Sequence, residues 1–143
     1  MRSLDYYFSS YAAYHQTKGN KFTHYLGIPL IVFSTLGLFN LVGFNSWLNL
    51  GMILWLGSSI FYSKLDWRRG IPFSVLMFVL YLASLQVAGA VHVLLFVIGW
   101  ILQTIGHYKY EKKSPAFLTN VSHLLIGPFW IFCSFLGSLR AKS

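Results

Sequence analysis

The stretch Ile71-Pro-Phe-Ser-Val-Leu-Met-Phe-Val-Leu-Tyr-Leu-Ala-Ser-Leu-Gln86-Val-Ala-Gly89-Ala-Val-His92-Val-Leu-Leu-Phe-Val-Ile-Gly-Trp100-Ile-Leu-Gln-Thr-Ile-Gly106 decides the fold. As a single helix it would be about 54 Å long, far more than a bilayer's apolar core of about 30 Å. Two shorter runs, about 71–88 and 91–106, resolve the excess if the chain turns near Gln86–His92 with the help of Gly89. The choice also fixes the side of the membrane on which His107 emerges.

Working outward, further apolar runs occupy about 22–44, 46–63 and 116–139, with Pro29 inside the first and Pro128 inside the last. The turn Phe44-Asn45-Ser46 and the charged loop Lys64–Gly70 separate neighbouring runs, and Pro72 is expected in the first turn of the third helix. Residues 4–17 carry Tyr6, Tyr7, Phe8, Tyr11 and Tyr14, as expected of a helix lying at the headgroup level. Lys18-Gly19-Asn20 is expected to break it. Hydrophobic residues make up 56% of the 143 and charged residues only 10%, against about 25% in soluble domains. So few charges cannot coat a water-facing surface. The expected fold is all-α, a multi-pass transmembrane helical bundle of about five spans plus the N-terminal interfacial helix, with residues 1–143 forming a single integral membrane domain.

The net charge is +8, and its placement supports membrane flanks over nucleic-acid binding. With a cytoplasmic N-terminus, Arg2, Lys18, Lys21, Lys64, Arg68, Arg69, Lys109, Lys112 and Lys113 all fall on the cytoplasmic side. Only Arg140 and Lys142 fall on the far side, as the positive-inside rule requires. The N-terminus lacks the apolar core of a signal peptide, so no cleavage is expected. A bacterial inner membrane is favoured over the endoplasmic reticulum. Cys133 stands alone, which excludes an intrachain disulfide and a CxxC metal site.

Five spans bring His15, His24 and His107 to one face, with His123 about two turns inside the last run. Neutral imidazole is the commonest side-chain ligand for iron, zinc and copper, so the cluster points to metal chemistry. His15 and His24 are nine residues apart and would point to opposite faces of one continuous helix, so a break between them is required. His107 and Glu111 share a helix face, as do Asn120 and His123. Glu111 could bind metal, hold an imidazole N–H or act as a base; a surface ion pair with Lys112 or Lys113 is the plainer alternative. His92 falls at the far side and reads as an ordinary hydrogen-bonded or headgroup-facing residue. No glycine-rich phosphate loop is present, nor a carboxylate placed to orient a histidine beside Ser or Cys.

Two blocks carry a family resemblance: Tyr11-Ala-Ala-Tyr-His15 … Asn20-Lys-Phe-Thr-His24-Tyr-Leu-Gly27-Ile-Pro29, and Gly99-Trp100-Ile-Leu-Gln103-Thr-Ile-Gly106-His107 … Glu111-Lys112-Lys-Ser-Pro115-Ala116 … Asn120 … Pro128. Together they resemble the 2-hydroxy-fatty-acid dioxygenase family of fatty-acid α-oxidation and phytosphingosine breakdown. The resemblance implies an iron(II)-dependent membrane enzyme that uses O₂ to cleave a 2-hydroxy fatty acid between C1 and C2, leaving the acid one carbon shorter. It maps the essential histidines onto His15, His24 and His107; His123 rests on topology alone. The candidate set is therefore His15, His24, His107 and His123 for metal, and Glu111, Asn20 and Asn120 for catalysis. Lys18, Lys21 or Lys109 would attract the substrate carboxylate. The competing expectation is a non-enzymatic lipid- or haem-binding bundle, with His24 and His123 facing each other across a porphyrin.

Overall fold

A computed structural model describes residues 3–43, 48–118 and 120–137. Arg2, Arg140, Lys142 and the turn Phe44-Asn45-Ser46 lie outside the described residues. Six α-helices, with no strand among the described residues, follow one another: α1 (Leu4–Ala12), α2 (Lys18–Asn40), α3 (Leu50–Leu65), α4 (Trp67–Ser84), α5 (Gly89–Thr104) and α6 (Ser122–Phe135). α5 runs on into a wider π-helical turn, Ile105–Glu111, and a 3-10 turn, Ala116–Leu118, precedes α6.

The deciding stretch does turn. α4 stops at Ser84, residues 85–88 reverse the chain, and Gly89 is the first residue of α5 rather than part of the bend. His92 pins the reversal: its buried Nε2–H donates to the Ser84 carbonyl at 3.0 Å. Its ring lies against Gly37 of α2, where a Cβ would collide with it.

Three expected boundaries move, each for a local reason. The break between α1 and α2 falls at 13–17, not at Lys18-Gly19-Asn20, because the Thr17 side chain caps α2 by accepting from the Asn20 N–H. The charged loop Lys64–Gly70 shrinks to Asp66. Its Oδ1 accepts from the N–H groups of Arg68 and Arg69 and starts α4 at once. Pro72 consequently lies in the second turn of α4, not the first. Among the described residues, α2 and the continuous helix Gly89–Glu111, 23 residues each, are the ones that combine the length and apolarity needed to cross a bilayer. α3 has 16 residues and α6 only 14, so the expectation of about five spans is not supported: two helices among the described residues have that length and apolarity.

Packing runs opposite to that of a soluble bundle. α2 buries Asn20, Thr23, His24, Gly27, Ser34 and Gly37 with a single large apolar residue, Leu36. α3 buries Gly51, Ser58, Ser59 and Tyr62. Facing outward instead are Phe22, Leu26, Ile53, Leu56, Val75, Val79, Leu94 and Ile101. Small and polar residues between helices, with aliphatic ones outside, suit a lipid solvent in which Leu gains nothing by being buried. The aromatic core collects where α1, α3, α4 and α6 meet, around Phe8, Tyr62, Phe73 and Phe129.

α2 and α5 make the closest helix pair, antiparallel and glycine to glycine. A Cβ on Gly27 would stand 2.9 Å from the Gly99 carbonyl oxygen, and one on Gly99 would stand 3.0 Å from that of Gly27. Gly99→Val is expected to destabilise the fold by about 1–3 kcal/mol through overpacking. A lowered denaturation midpoint in detergent would show it.

Candidate metal centre

The three histidines predicted to share one face do meet. His15 lies in the loop after α1, His24 in the second turn of α2, and His107 in the π-helical turn. Their ring centroids stand 4.5, 4.8 and 5.0 Å apart, with the planes at 71–81° to one another. All three are buried, and one ring nitrogen from each lies within 4.8 Å of the others.

Their tautomers follow from what each ring touches. His15 Nδ1–H donates to the Tyr11 carbonyl at 2.7 Å, and His24 Nδ1–H to the Asn20 carbonyl at 2.9 Å. Carbonyls only accept, so Nδ1 carries the proton in both and Nε2 presents a lone pair. His24 Nε2 stands 3.1 Å from His107 Nε2. For metal–nitrogen bonds of about 2.1 Å, ligands at right angles stand about 3 Å apart, so these two nitrogens already have the spacing of neighbours on one ion. Burial pushes the His15 imidazole down to about 4, against the opposing pull of its bond to Tyr11. It is therefore neutral and able to ligate at pH 7. The donor set, three buried imidazoles of which His15 and His24 have rings fixed through Nδ1, fits a mononuclear iron, zinc or copper ion.

Glu111 lies beneath the histidines. Its carboxylate accepts from Gln16 N–H (3.0 Å), Thr17 N–H (3.1 Å), Thr17 Oγ1–H (2.9 Å) and Asn20 Nδ2–H (3.1 Å). One carboxylate thus joins the turn that carries His107 to the loop that carries His15 and to the start of α2, where the helix dipole also favours a negative charge. Gly106 permits the approach, since a Cβ there would stand 2.5 Å from Asn20 Oδ1 and 3.0 Å from His24 Cε1. The π-helical widening keeps both His107 and Glu111 turned toward α2. Lys112, in the left-handed conformation at φ 55°, ends the turn.

The remaining predicted residues lie apart from the three nitrogens. His123 borders the same cavity, but its Nε2 shares a hydrogen bond with Ser10 Oγ at 3.1 Å. This turns away the partner that a haem on His24 would need. Asn120 Oδ1 accepts from Ser122 N–H and Oγ–H at the start of α6. Every described Lys and Arg sits at the bundle end that carries the histidines, since the helices alternate in direction.

A cavity of about 60 Å³ opens beside the histidines, and two residues missed from the sequence line it. Tyr11 stacks on His15, with centroids 3.9 Å apart and planes 13° apart, and burial raises its phenol's pKa, keeping it protonated. Gln103 is buried, and its Nε2 has no protein acceptor. Both were visible as i, i+4 neighbours, Tyr11 of His15 and Gln103 of His107; a lone amide in an apolar run is itself a signal.

An all-helical, lipid-suited bundle closed around three buried histidines defines the class: a helical protein with a metal-type centre at one end. The chain belongs to the family described as 2-hydroxy-palmitic acid dioxygenase Mpo1-like, whose model matches residues 1–62 and 68–139. It is 33% identical over 134 residues to the 2-hydroxy-palmitic acid dioxygenase MPO1 of Saccharomyces cerevisiae, covering 90% of this chain and 77% of the yeast protein. No solved structure matches.

Glu111→Gln keeps the shape but turns an amide toward donors that have nowhere else to donate. It is expected to lower affinity for a divalent metal ion about 10–100-fold with helix content unchanged, measured by anaerobic metal titration and circular dichroism.

Proposed function

We propose that the protein is an iron(II)-dependent dioxygenase of the membrane, cleaving 2-hydroxy fatty acids with O₂ between C1 and C2 to give the acid one carbon shorter. The observation that carries this reading is the convergence of His15, His24 and His107 on an apolar cavity in a member of a dioxygenase family. Its membrane setting is multi-pass, with the shorter helices completing the crossing beside α2 and α5, and the histidine end faces the cytoplasm with its cluster of cations.

His15, His24 and His107 would hold the iron, the first two through Nε2 atoms whose rings are fixed by their Nδ1–H bonds to Tyr11 and Asn20. Iron(II) held there supplies the redox chemistry that engages O₂. The chain's own residues bind and orient the acid. Gln103 has a buried N–H without an acceptor, beside the histidines, and a substrate carboxylate or 2-hydroxyl satisfies it. Tyr11 offers a neutral O–H on the same wall. Lys18, Lys21 and Lys109 draw the anionic head to this end of the bundle. Glu111 and Asn20 act through the backbone that carries His15 and His24, since both Glu111 oxygens are taken up by protein donors. Apolar walls exclude bulk water from the reacting carbons.

The test is anaerobic Fe(II) loading, then 2-hydroxypalmitate and O₂, with product acids identified by mass. Pentadecanoic acid should form, and alanine at His15, His24 or His107 should lower its rate at least about 10³-fold, the loss of most of a catalytic contribution of several kcal/mol. Unchanged turnover in any of the three variants removes that residue from the centre; no shortened acid from the wild type rejects the reaction.

A further inference from the structure

Beyond the histidine cavity lies a second, larger one of about 540 Å³. Five residues line both: Ile31 and Val32 of α2, Trp100 of α5, and Leu124 and Pro128 of α6. From this shared wall the second cavity follows α2 away from the histidines, past Thr35 and Leu36 to Phe39, with Leu54 and Met77 opposite. Its walls are almost wholly apolar, and none of the bundle's charges reaches it. Phe39 and Leu124 are exposed on its flank, so it opens sideways toward lipid.

We propose that this groove is the berth of the substrate's acyl chain, and that its far end, at Phe39, Leu54 and Met77, sets the chain length the protein accepts. The proposal rests on the dioxygenase reading for the identity of the head group. Dimensions favour one long unbranched chain. Phe39 lies about 22 Å along α2 from His24, and an extended sixteen-carbon chain, at about 1.27 Å per carbon, spans about 19 Å. A chain with its carboxyl end at the histidines therefore brings its last carbons to the Phe39 end of the groove.

The head end selects a free acid over an ordinary membrane lipid. The groove's mouth is the cavity of about 60 Å³ walled by His15, His24 and His107. A carboxylate and a neighbouring hydroxyl fit there and meet Gln103, whereas a glycerophosphate carrying a second chain does not. Chain-length selectivity then follows from area. Each methylene buried in the groove is worth about fourfold in affinity, and each one that overruns its end forfeits that gain.

The experiment uses the Fe(II)-loaded protein in lipid nanodiscs. A 2-hydroxy fatty acid of palmitate length with a diazirine at its far end is photolysed and the adducts are mapped by mass spectrometry. Labels on Phe39, Leu54 or Met77 are expected; labels confined to lipid-facing positions such as Val79 and Ile98 overturn the berth. Shortened acid forming while the label falls elsewhere rejects the berth and keeps the dioxygenase reading. Label at the groove with no shortened acid keeps the berth and rejects that reading. Two variants test the ruler. Thr35→Phe fills the groove and should lower turnover of 2-hydroxypalmitate about tenfold relative to 2-hydroxydecanoate, the equivalent of roughly two methylenes. Phe39→Ala should move the preference toward longer acids, and it alone decides if Thr35→Phe is inactive on every chain. Val79→Phe, on the outer face of α4, serves as the control. Chain-length profiles in Thr35→Phe and Phe39→Ala that superimpose on the wild type overturn the ruler.

Discussion

The structure depends on one buried carboxylate. Glu111 closes four hydrogen bonds with Gln16, Thr17 and Asn20, and the residues it joins stand beside the three histidines in different parts of the chain. Two of its donors are backbone N–H groups near the start of α2, which no helical carbonyl can satisfy. A buried carboxylate is costly unless fully paired, so the helix start, the loop and the π-helical turn stabilise one another. If the carboxylate loses its charge, the loop holding His15 loses its fastening to the turn holding His107.

The rest of the bundle makes that arrangement possible in an apolar solvent. Lipid gives no reward for burying Leu or Val, so helices approach through glycine, serine and threonine. Gly27 against Gly99 brings α2 and α5 together, and the same contact line carries Gly106 and His107 up to Asn20, Thr23 and His24. The polar residues that lipid would penalise are the ones drawn inward, which concentrates imidazoles, amides and hydroxyls along one seam. At the other end of that seam, His92 fastens the α4–α5 turn to α2, so a histidine outside the metal centre still sets the helix register.

Much of this was legible in the sequence. The split of 71–106 followed from length against bilayer thickness, and the meeting of His15, His24 and His107 followed from the split. Other features depend on partners distant in sequence. The roles of Glu111 in capping and bracing involve backbone N–H groups 94 and 95 positions away, which no local spacing reveals. Glycine usually marks a helix break, so the sequence points to Gly19-Asn20 as the break before α2. Here Gly19 is helical and leaves room for the Tyr110 ring, while Thr17 provides the cap. In sequence Asp66 is one charge among several between apolar runs, and only its capping oxygen makes a loop there unnecessary. The His123–Ser10 bond joins α6 to α1, 113 residues apart, a pairing that topology alone left open.

The central claim is that three imidazoles, and no carboxylate, hold one metal ion at the end of this bundle. X-ray absorption on the Fe(II)-loaded protein, with the iron-to-protein ratio measured on the same sample, tests it most directly. The account predicts one iron per chain with three imidazole nitrogens, matching the cluster His15, His24 and His107. Two imidazoles with a protein carboxylate, or two irons per chain, would contradict it.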